Sequence, residues 1–108
     1  MRAKPLKKDG ETYVQCVVEE AQFIQINLRG PISTRILPVI TKGNREGTGA
    51  WTWNGNIDKP TLRPSILNDF RPHDTLVCHT WITDGQVTFL DDCTHELRGQ
   101  TIELDEII

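Results

Sequence analysis

Residues 77–101 hold most of the side chains in this sequence that can do chemistry. They include two of the three cysteines and two of the three histidines. Asp84-Gly85 separates two β-favouring runs, which is typical of a two-residue type I′ hairpin turn because both turn positions need a positive φ. In that register Thr83 lies opposite Gln86, and the pairing of every other residue in the hairpin can be counted from there.

The predicted register divides the reactive side chains between two faces of the hairpin, because successive side chains of a strand point to opposite faces. His79 lies opposite Leu90, and it shares its face with Asp92 as a diagonal neighbour, at a backbone separation of roughly 7–8 Å. Cys78 and Cys93 share the other face in the same way. The sequence therefore predicts a His–Asp pair and a Cys–Cys pair on opposite sides.

The first hypothesis is a serine hydrolase. Ser65 is the candidate nucleophile, His79 the base and Asp92 the carboxylate that orients the imidazole. Pro64 holds the segment before Ser65 extended, but no glycine adjoins Ser65 and the sequence has no G-x-S-x-G elbow. The alternative is that Ser65 satisfies backbone groups at a strand start while His79 packs beside Trp81.

The second hypothesis is a structural zinc site. Cys78, Cys93 and His95 offer side chains that zinc accepts in a tetrahedral shell, with Cys16 or His73 as a fourth ligand. The alternative is that both hairpin cysteines are small buried hydrophobes.

A third hypothesis, ranked lower, is a thiol nucleophile. Cys78 or Cys93 would be activated by His79 or His95, as in Cys/His catalytic pairs. A thiol that faces a protein core is usually inert, which makes this the weakest of the three interpretations.

The composition is that of one ordinary globular domain. The chain has 108 residues, of which 25% are charged and 37% apolar, and no apolar run approaches the length of a membrane span. The basic start lacks the apolar stretch of a secretory signal, so we expect a cytoplasmic location. An odd number of cysteines then favours reduced thiols over a disulfide framework.

The charge distribution argues against nucleic-acid binding. The whole chain carries −3 and four basic residues among the first eight carry +4, so the remainder sums to −7. Phosphate contacts need clustered Lys and Arg, which so acidic a remainder does not provide. Residues 1–11 are predicted to be a basic flexible arm.

Seven segments have the alternation or β-branched content of strands, and helix signals are nearly absent. We predict a single-domain all-β protein over residues 12–108, as an antiparallel sandwich or a small, partly open barrel. A mobile loop is expected at 41–49, where three glycines occur. The proline-containing segment 59–65 is expected to lie at a sheet edge or to cover a site. The seven predicted strands are 12–18, 23–28, 34–40, 51–53, 76–82, 86–90 and 101–104.

Two stretches carry a resemblance to a known family: GAWTWNGNIDKPTLRPSIL at 49–67 and CHTWITDGQVTFLDDCTHELRGQT at 78–101. Together they resemble a family of small phage and prophage proteins, often mislabelled "ammonia monooxygenase", although nothing in the sequence supports that chemistry. The same family is distantly similar to peptidase-like domains of bacterial ubiquitin-like operons. The shared elements are a Pro-Ser pair and a His at a strand start, here Pro64-Ser65 and His79. The resemblance implies a phage or prophage origin and a protease or defence-related role.

Two functions follow from these observations. One is a phage-type, peptidase-like serine hydrolase that uses Ser65, His79 and Asp92 and acts on host defence proteins. The alternative is a non-enzymatic, zinc-stabilised binding protein that engages a host protein. In both cases the expected partner is a protein or peptide, and neither nucleic acid nor a membrane.

Overall fold

A computed structural model describes residues 1–41 and 49–107, and within them the chain is almost entirely β. The prediction of a mainly β, single-domain fold is confirmed. The helical content of this part is one 3-10 turn at Val18–Glu20. The part of the chain that is described contains no helix with the length and hydrophobicity of a membrane span. The strands are β1 (Lys4–Asp9), β2 (Thr12–Gln15), β3 (Phe23–Asn27), β4 (Thr34–Ile40), β5 (Trp51–Trp53), β6 (Leu62–Asp69), β7 (Val77–Thr83), β8 (Gln86–Phe89) and β9 (Thr101–Glu103).

The nine strands form one open sheet in the order β2-β1-β3-β4-β5-β6-β7-β8-β9. Every neighbouring pair is antiparallel except β4 and β5, which run parallel and depart from the predicted antiparallel arrangement. The sheet curls strongly, so the segment after β9 meets the start of the chain. The Ile107 amide donates to the Met1 carbonyl at 2.7 Å, and the Asp105 amide donates to the Asn27 carbonyl at 3.4 Å.

The core lies inside this curl. Inward-facing aliphatic and aromatic side chains from β3 to β8 are almost completely buried, as expected for strands that alternate between core and solvent. The largest of them are Trp53, Phe89, Ile24, Ile26, Leu28, Leu37, Leu62, Ile66 and Ile82.

The flexible arm predicted for residues 1–11 is wrong. Lys4–Asp9 form β1, which pairs with β2 and β3. Ala3 and Leu6 are buried, with 0% and 4% of their surface exposed. The lysines of this segment mask the strand pattern because long charged side chains extend to solvent while the backbone stays paired. Residues 42–48 of the predicted mobile loop lie outside the described residues.

The proline-containing segment does not lie at an outer edge of the sheet. Leu62–Asp69 form β6, whose first half pairs with β5 on one side and with β7 at Leu62 on the other. The pairing with β7 shifts between Leu62 and Ile66, so Pro64 lies in a β-bulge. A bulge accepts proline inside a sheet because the bulged residues do not take part in the regular ladder.

The hairpin turn is confirmed as type I′, since Asp84 and Gly85 have φ of 50° and 77°. The predicted pairing of β7 with β8 is confirmed from Thr83↔Gln86 to Thr80↔Phe89. His79 also faces Leu90 as predicted, since the Leu90 amide donates to the His79 carbonyl at 2.9 Å. The register ends there, because a tight turn follows in which the Cys93 amide donates to the Leu90 carbonyl at 3.1 Å.

Beyond this turn the predicted pairing of Val77 with Asp92 is wrong. The Thr94 amide donates to the Val77 carbonyl at 3.0 Å, so Val77 faces Thr94. The turn takes up two residues that the extended register assigned to strand pairing.

Substitution of Gly85 tests the packing of the hairpin turn. A Cβ at Gly85 would lie 3.1 Å from the Asp58 carbonyl oxygen and 3.2 Å from the Lys59 Cα, at a positive φ. We expect Gly85→Ala to lower the free energy of unfolding by about 2–4 kcal/mol. The control is Gly10→Ala, which has a φ of +65° but no atom within 4 Å, and should lose only about 1–2 kcal/mol. Equal losses in urea denaturation would contradict the tight packing described here.

Candidate active site

Ser65, His79 and Asp92 converge on the outer surface of the sheet. Ser65 Oγ lies 2.7 Å from His79 Nε2. On the other side of the ring, His79 Nδ1 lies 2.9 Å from Asp92 Oδ2 and 3.2 Å from Oδ1. When Nδ1–H donates to the carboxylate, Nε2 is left to accept the serine hydroxyl proton. The three residues therefore have the connectivity of a nucleophile, a base and an orienting acid.

The bulge in β6 places Ser65. After the register shift, Ile66 pairs with Thr80 and Leu67 pairs with His79, so Ser65 lies diagonally across from the imidazole. The Ser65 carbonyl accepts a hydrogen bond from Trp51 Nε1 at 3.3 Å, which ties this residue to β5. A bulge re-aims a side chain in this way without ending the strand.

A thiol holds the Asp92 turn against β7. The His79 amide donates to Cys93 Sγ at 3.2 Å, and the Cys93 thiol donates to the His79 carbonyl at 3.3 Å. Val77 N–H donates to Thr94 Oγ1 at 2.8 Å just beyond. The bonds between Cys93 and the His79 backbone were not predicted from the sequence. The available signal was that Cys93 directly follows Asp92, so a contact of Cys93 with β7 also positions Asp92.

The acidic side chains around the site differ in their surroundings. The Arg71 guanidinium hydrogen-bonds Asp69 through Nε and Nη2 at 2.9 and 2.7 Å, and lowers the pKa of that carboxyl to about 2. Asp69, and to a lesser extent the charge of Asp92, raise the pKa of Arg71. The Asp92 side chain is 58% exposed, whereas that of His79 is 24% exposed. The triad is therefore open to water on its acid side.

Cys78, Cys93 and His95 form a second cluster on the inner side of β7. Their ligand atoms all lie within 4.8 Å of one another, so the cluster is able to bind a metal ion. Neither Cys16 nor His73, the expected fourth ligands, belongs to it. The Cys–Cys pair and the His–Asp pair lie on opposite faces, as the sequence predicted.

Burial, followed by the charge and hydrogen bond of Cys93, raises the pKa of the Cys78 thiol to about 11. Cys78 and Cys93 are 0% and 2% exposed. A thiol that is buried and protonated is a poor nucleophile because the thiolate is the reactive form. The structure therefore disfavours Cys78 as the nucleophile of a Cys/His pair.

The chain matches the sequence model of a known protein family over most of its length. The sequence model described as bacterial ubiquitination-like system serine protease (BubE) matches residues 5–90. The chain belongs to this family. The match includes Ser65 and His79 and ends two residues before Asp92. It confirms the predicted relation to peptidase-like domains, and the family description agrees with a peptidase-like hydrolase. Neither a curated protein nor a solved structure matches the chain.

Proposed function

We propose that this protein is a serine protease that cleaves protein substrates of a bacterial ubiquitination-like system. Ser65 is the nucleophile, His79 the general base and Asp92 the residue that orients the imidazole. The observation that carries the proposal is the pair of contacts on the two ring nitrogens of His79, at 2.7 Å to Ser65 and 2.9 Å to Asp92. The family description supplies the class of biological system.

The geometry supports a two-step acyl transfer. Ser65 Oγ attacks the carbonyl carbon of the scissile bond while His79 Nε2 takes the hydroxyl proton, and Asp92 stabilises the imidazolium that forms. The C–N bond then breaks as His79 returns the proton to the departing amine. A water molecule, deprotonated by the same nitrogen, releases the acyl group and restores Ser65.

The first experiment asks whether the protein is an enzyme and of which class. The purified chain is incubated with a mixture of peptides, and new termini are identified by mass spectrometry. The proposal predicts cleavage that a sulfonyl fluoride stops and that iodoacetamide leaves intact. Inhibition by iodoacetamide alone would overturn the assignment of Ser65 in favour of a cysteine nucleophile.

The alternative of a non-enzymatic protein that binds a host protein is separated by the same assay. It predicts no cleavage and no effect of either inhibitor. The expected phage or prophage origin, a host defence protein as target and a cytoplasmic location remain predictions that rest on sequence and resemblance.

We further propose that a structural zinc ion binds Cys78, Cys93 and His95. Two buried cysteines and one imidazole lie within reach of a common ion. Zinc would bind the cysteines as thiolates and release their protons, so the bond that the Cys93 thiol donates to the His79 carbonyl would be lost while the bond from the His79 amide to Cys93 Sγ could remain. His95 Nε2 is buried and has no hydrogen-bond partner among the described residues. His95 Nδ1 accepts from the Leu97 amide at 3.3 Å, and zinc at Nε2 would require that bond to open, since a metal-bound imidazole carries its proton on the other nitrogen.

Elemental analysis tests the zinc proposal directly. Protein purified without chelator should contain about one zinc per chain, and chelator should lower its melting temperature. Cys78→Ala should lose the metal, whereas Cys16→Ala, outside the cluster, should retain it. A metal-free protein whose melting is unchanged by chelator would overturn the zinc site and leave the triad untouched.

A further inference from the structure

Strand β6 is paired differently on its two sides. β7 pairs with it at Leu62 and along its second half, Ile66 to Asp69. On the opposite side, the pairing with β5 comprises Thr52↔Arg63 and Trp53↔Leu62. Within residues 1–41 and 49–107, no strand pairs with the second half of β6 on that opposite side. Among the described residues, the second half of β6 therefore has an open edge on the side away from β7.

The hydrogen-bond pattern shows which backbone groups face this edge. The Phe70 amide donates to the Leu76 carbonyl at 3.1 Å, so Phe70 belongs to the set of residues whose backbone faces β7. In an antiparallel pair these residues alternate along the strand, so Ile66 and Asn68 belong to the same set. The N–H and C=O groups of Leu67 and Asp69 consequently face the open edge.

This edge begins at the candidate nucleophile. Ser65 lies one position before Ile66, and its carbonyl is capped by Trp51 Nε1 at 3.3 Å. Leu67 is paired with His79 in the register of β6 and β7. Leu67 is 54% exposed although its side chain is aliphatic. The apolar side chain of Leu67, and its N–H and C=O groups, which no described strand pairs, thus lie directly beside the triad.

We propose that the substrate binds as an added strand against this edge, as an extended peptide segment antiparallel to β6. The amino-terminal end of such a segment lies beside Asp69, and the segment runs toward Ser65, in the direction of β5, which pairs with the first half of β6. Trp51, the first residue of β5, blocks further pairing beyond Ser65. The carbonyl that reaches Ser65 is therefore the last one of the paired stretch. The residues before the scissile bond pair with Leu67 and Asp69, and this selects unfolded tails over folded segments.

The apolar surface at the edge adds a side-chain preference. A substrate residue on the outer face, next to Leu67, gains burial against an aliphatic side chain that is otherwise half exposed. The inference rests on the proposed function, because it places the substrate relative to Ser65.

The test uses the unmodified protein and two kinds of phosphonate. One is a simple fluorophosphonate, and the other is a set of peptides that end in a diphenyl phosphonate. In the second reaction Ser65 Oγ bonds to phosphorus, a phenolate leaves, and the hydroxyl proton passes to His79. Successive backbone amides of the peptide are methylated one at a time, which removes each N–H without adding charge.

Strand addition predicts a period of two. N-methylation at one alternating set of peptide residues should slow the reaction by about 10-fold per site, the value of one hydrogen bond, while methylation at the intervening residues should have little effect. Equal effects at all positions, or no effect at any position, would contradict binding of the substrate as an added strand but would leave the proposed protease activity unaffected. If the protein reacts with neither reagent, both the proposed protease activity and the proposed strand addition are wrong.

Discussion

Replacing Ser65 with alanine is expected to reduce peptide hydrolysis by about 10³–10⁶-fold while the fold is retained. Ser65 is half-buried on a strand whose pairing depends on backbone groups, so removal of its hydroxyl leaves β6 in place. The loss is large because every covalent step passes through the hydroxyl oxygen. Initial rates of peptide cleavage and circular dichroism measure the two effects separately.

Ser33→Ala is the matched control, because the chain has only these two serines. Ser33 is exposed, and its carbonyl, which the substitution retains, accepts from the Leu28 amide at 2.6 Å. Its activity should match that of the unmodified protein. Peptide hydrolysis that survives in Ser65→Ala would show that another group is the nucleophile.

Replacing Asp92 with asparagine is expected to reduce hydrolysis by about 10²–10⁴-fold. The asparagine amide can donate to His79 Nδ1, which favours the tautomer that carries its proton on Nε2. That tautomer cannot accept the proton of Ser65. We place the range below that of Ser65→Ala because the Asp92 side chain is 58% exposed, so water can replace part of its effect on the imidazolium.

Asp91→Asn is the matched control for this prediction. Asp91 lies in the same turn and is exposed, but its carboxylate makes no hydrogen bond to His79 among the contacts of the described residues. Comparison of the two variants at one pH removes the shared change in charge. Equal rates for Asp91→Asn and Asp92→Asn would show that Asp92 acts only through its negative charge and not through its hydrogen bond to His79.

Much of the site could be predicted because a local signal determines it. Asp84-Gly85 determines the turn, and the turn determines the pairing of His79 with Leu90. The contact of His79 with Asp92 was predicted on an extended register that ends at Leu90. It forms nonetheless, because the tight turn keeps Asp92 on the outer face of the hairpin, within 2.9 Å of the imidazole.

Other features depend on contacts that are distant in the sequence. The lysines of Lys4–Asp9 conceal a paired strand, since its stability comes from neighbours on both sides. Pro64 argues against a central strand unless the bulge is known, and that bulge is visible only from the pairing with β7. The bonds between Cys93 and the His79 backbone likewise appear only once the turn is folded.

The position of a fluorophosphonate adduct shows whether Ser65 is the activated nucleophile. Attack by an activated serine displaces fluoride and leaves the phosphonyl group on its oxygen, and peptide mapping then identifies the residue. We predict one adduct, on Ser65, that disappears when His79 is replaced with alanine. An adduct on any other residue, or labelling of Ser65 that is equally fast without the imidazole, would contradict the proposed Ser65–His79–Asp92 active site.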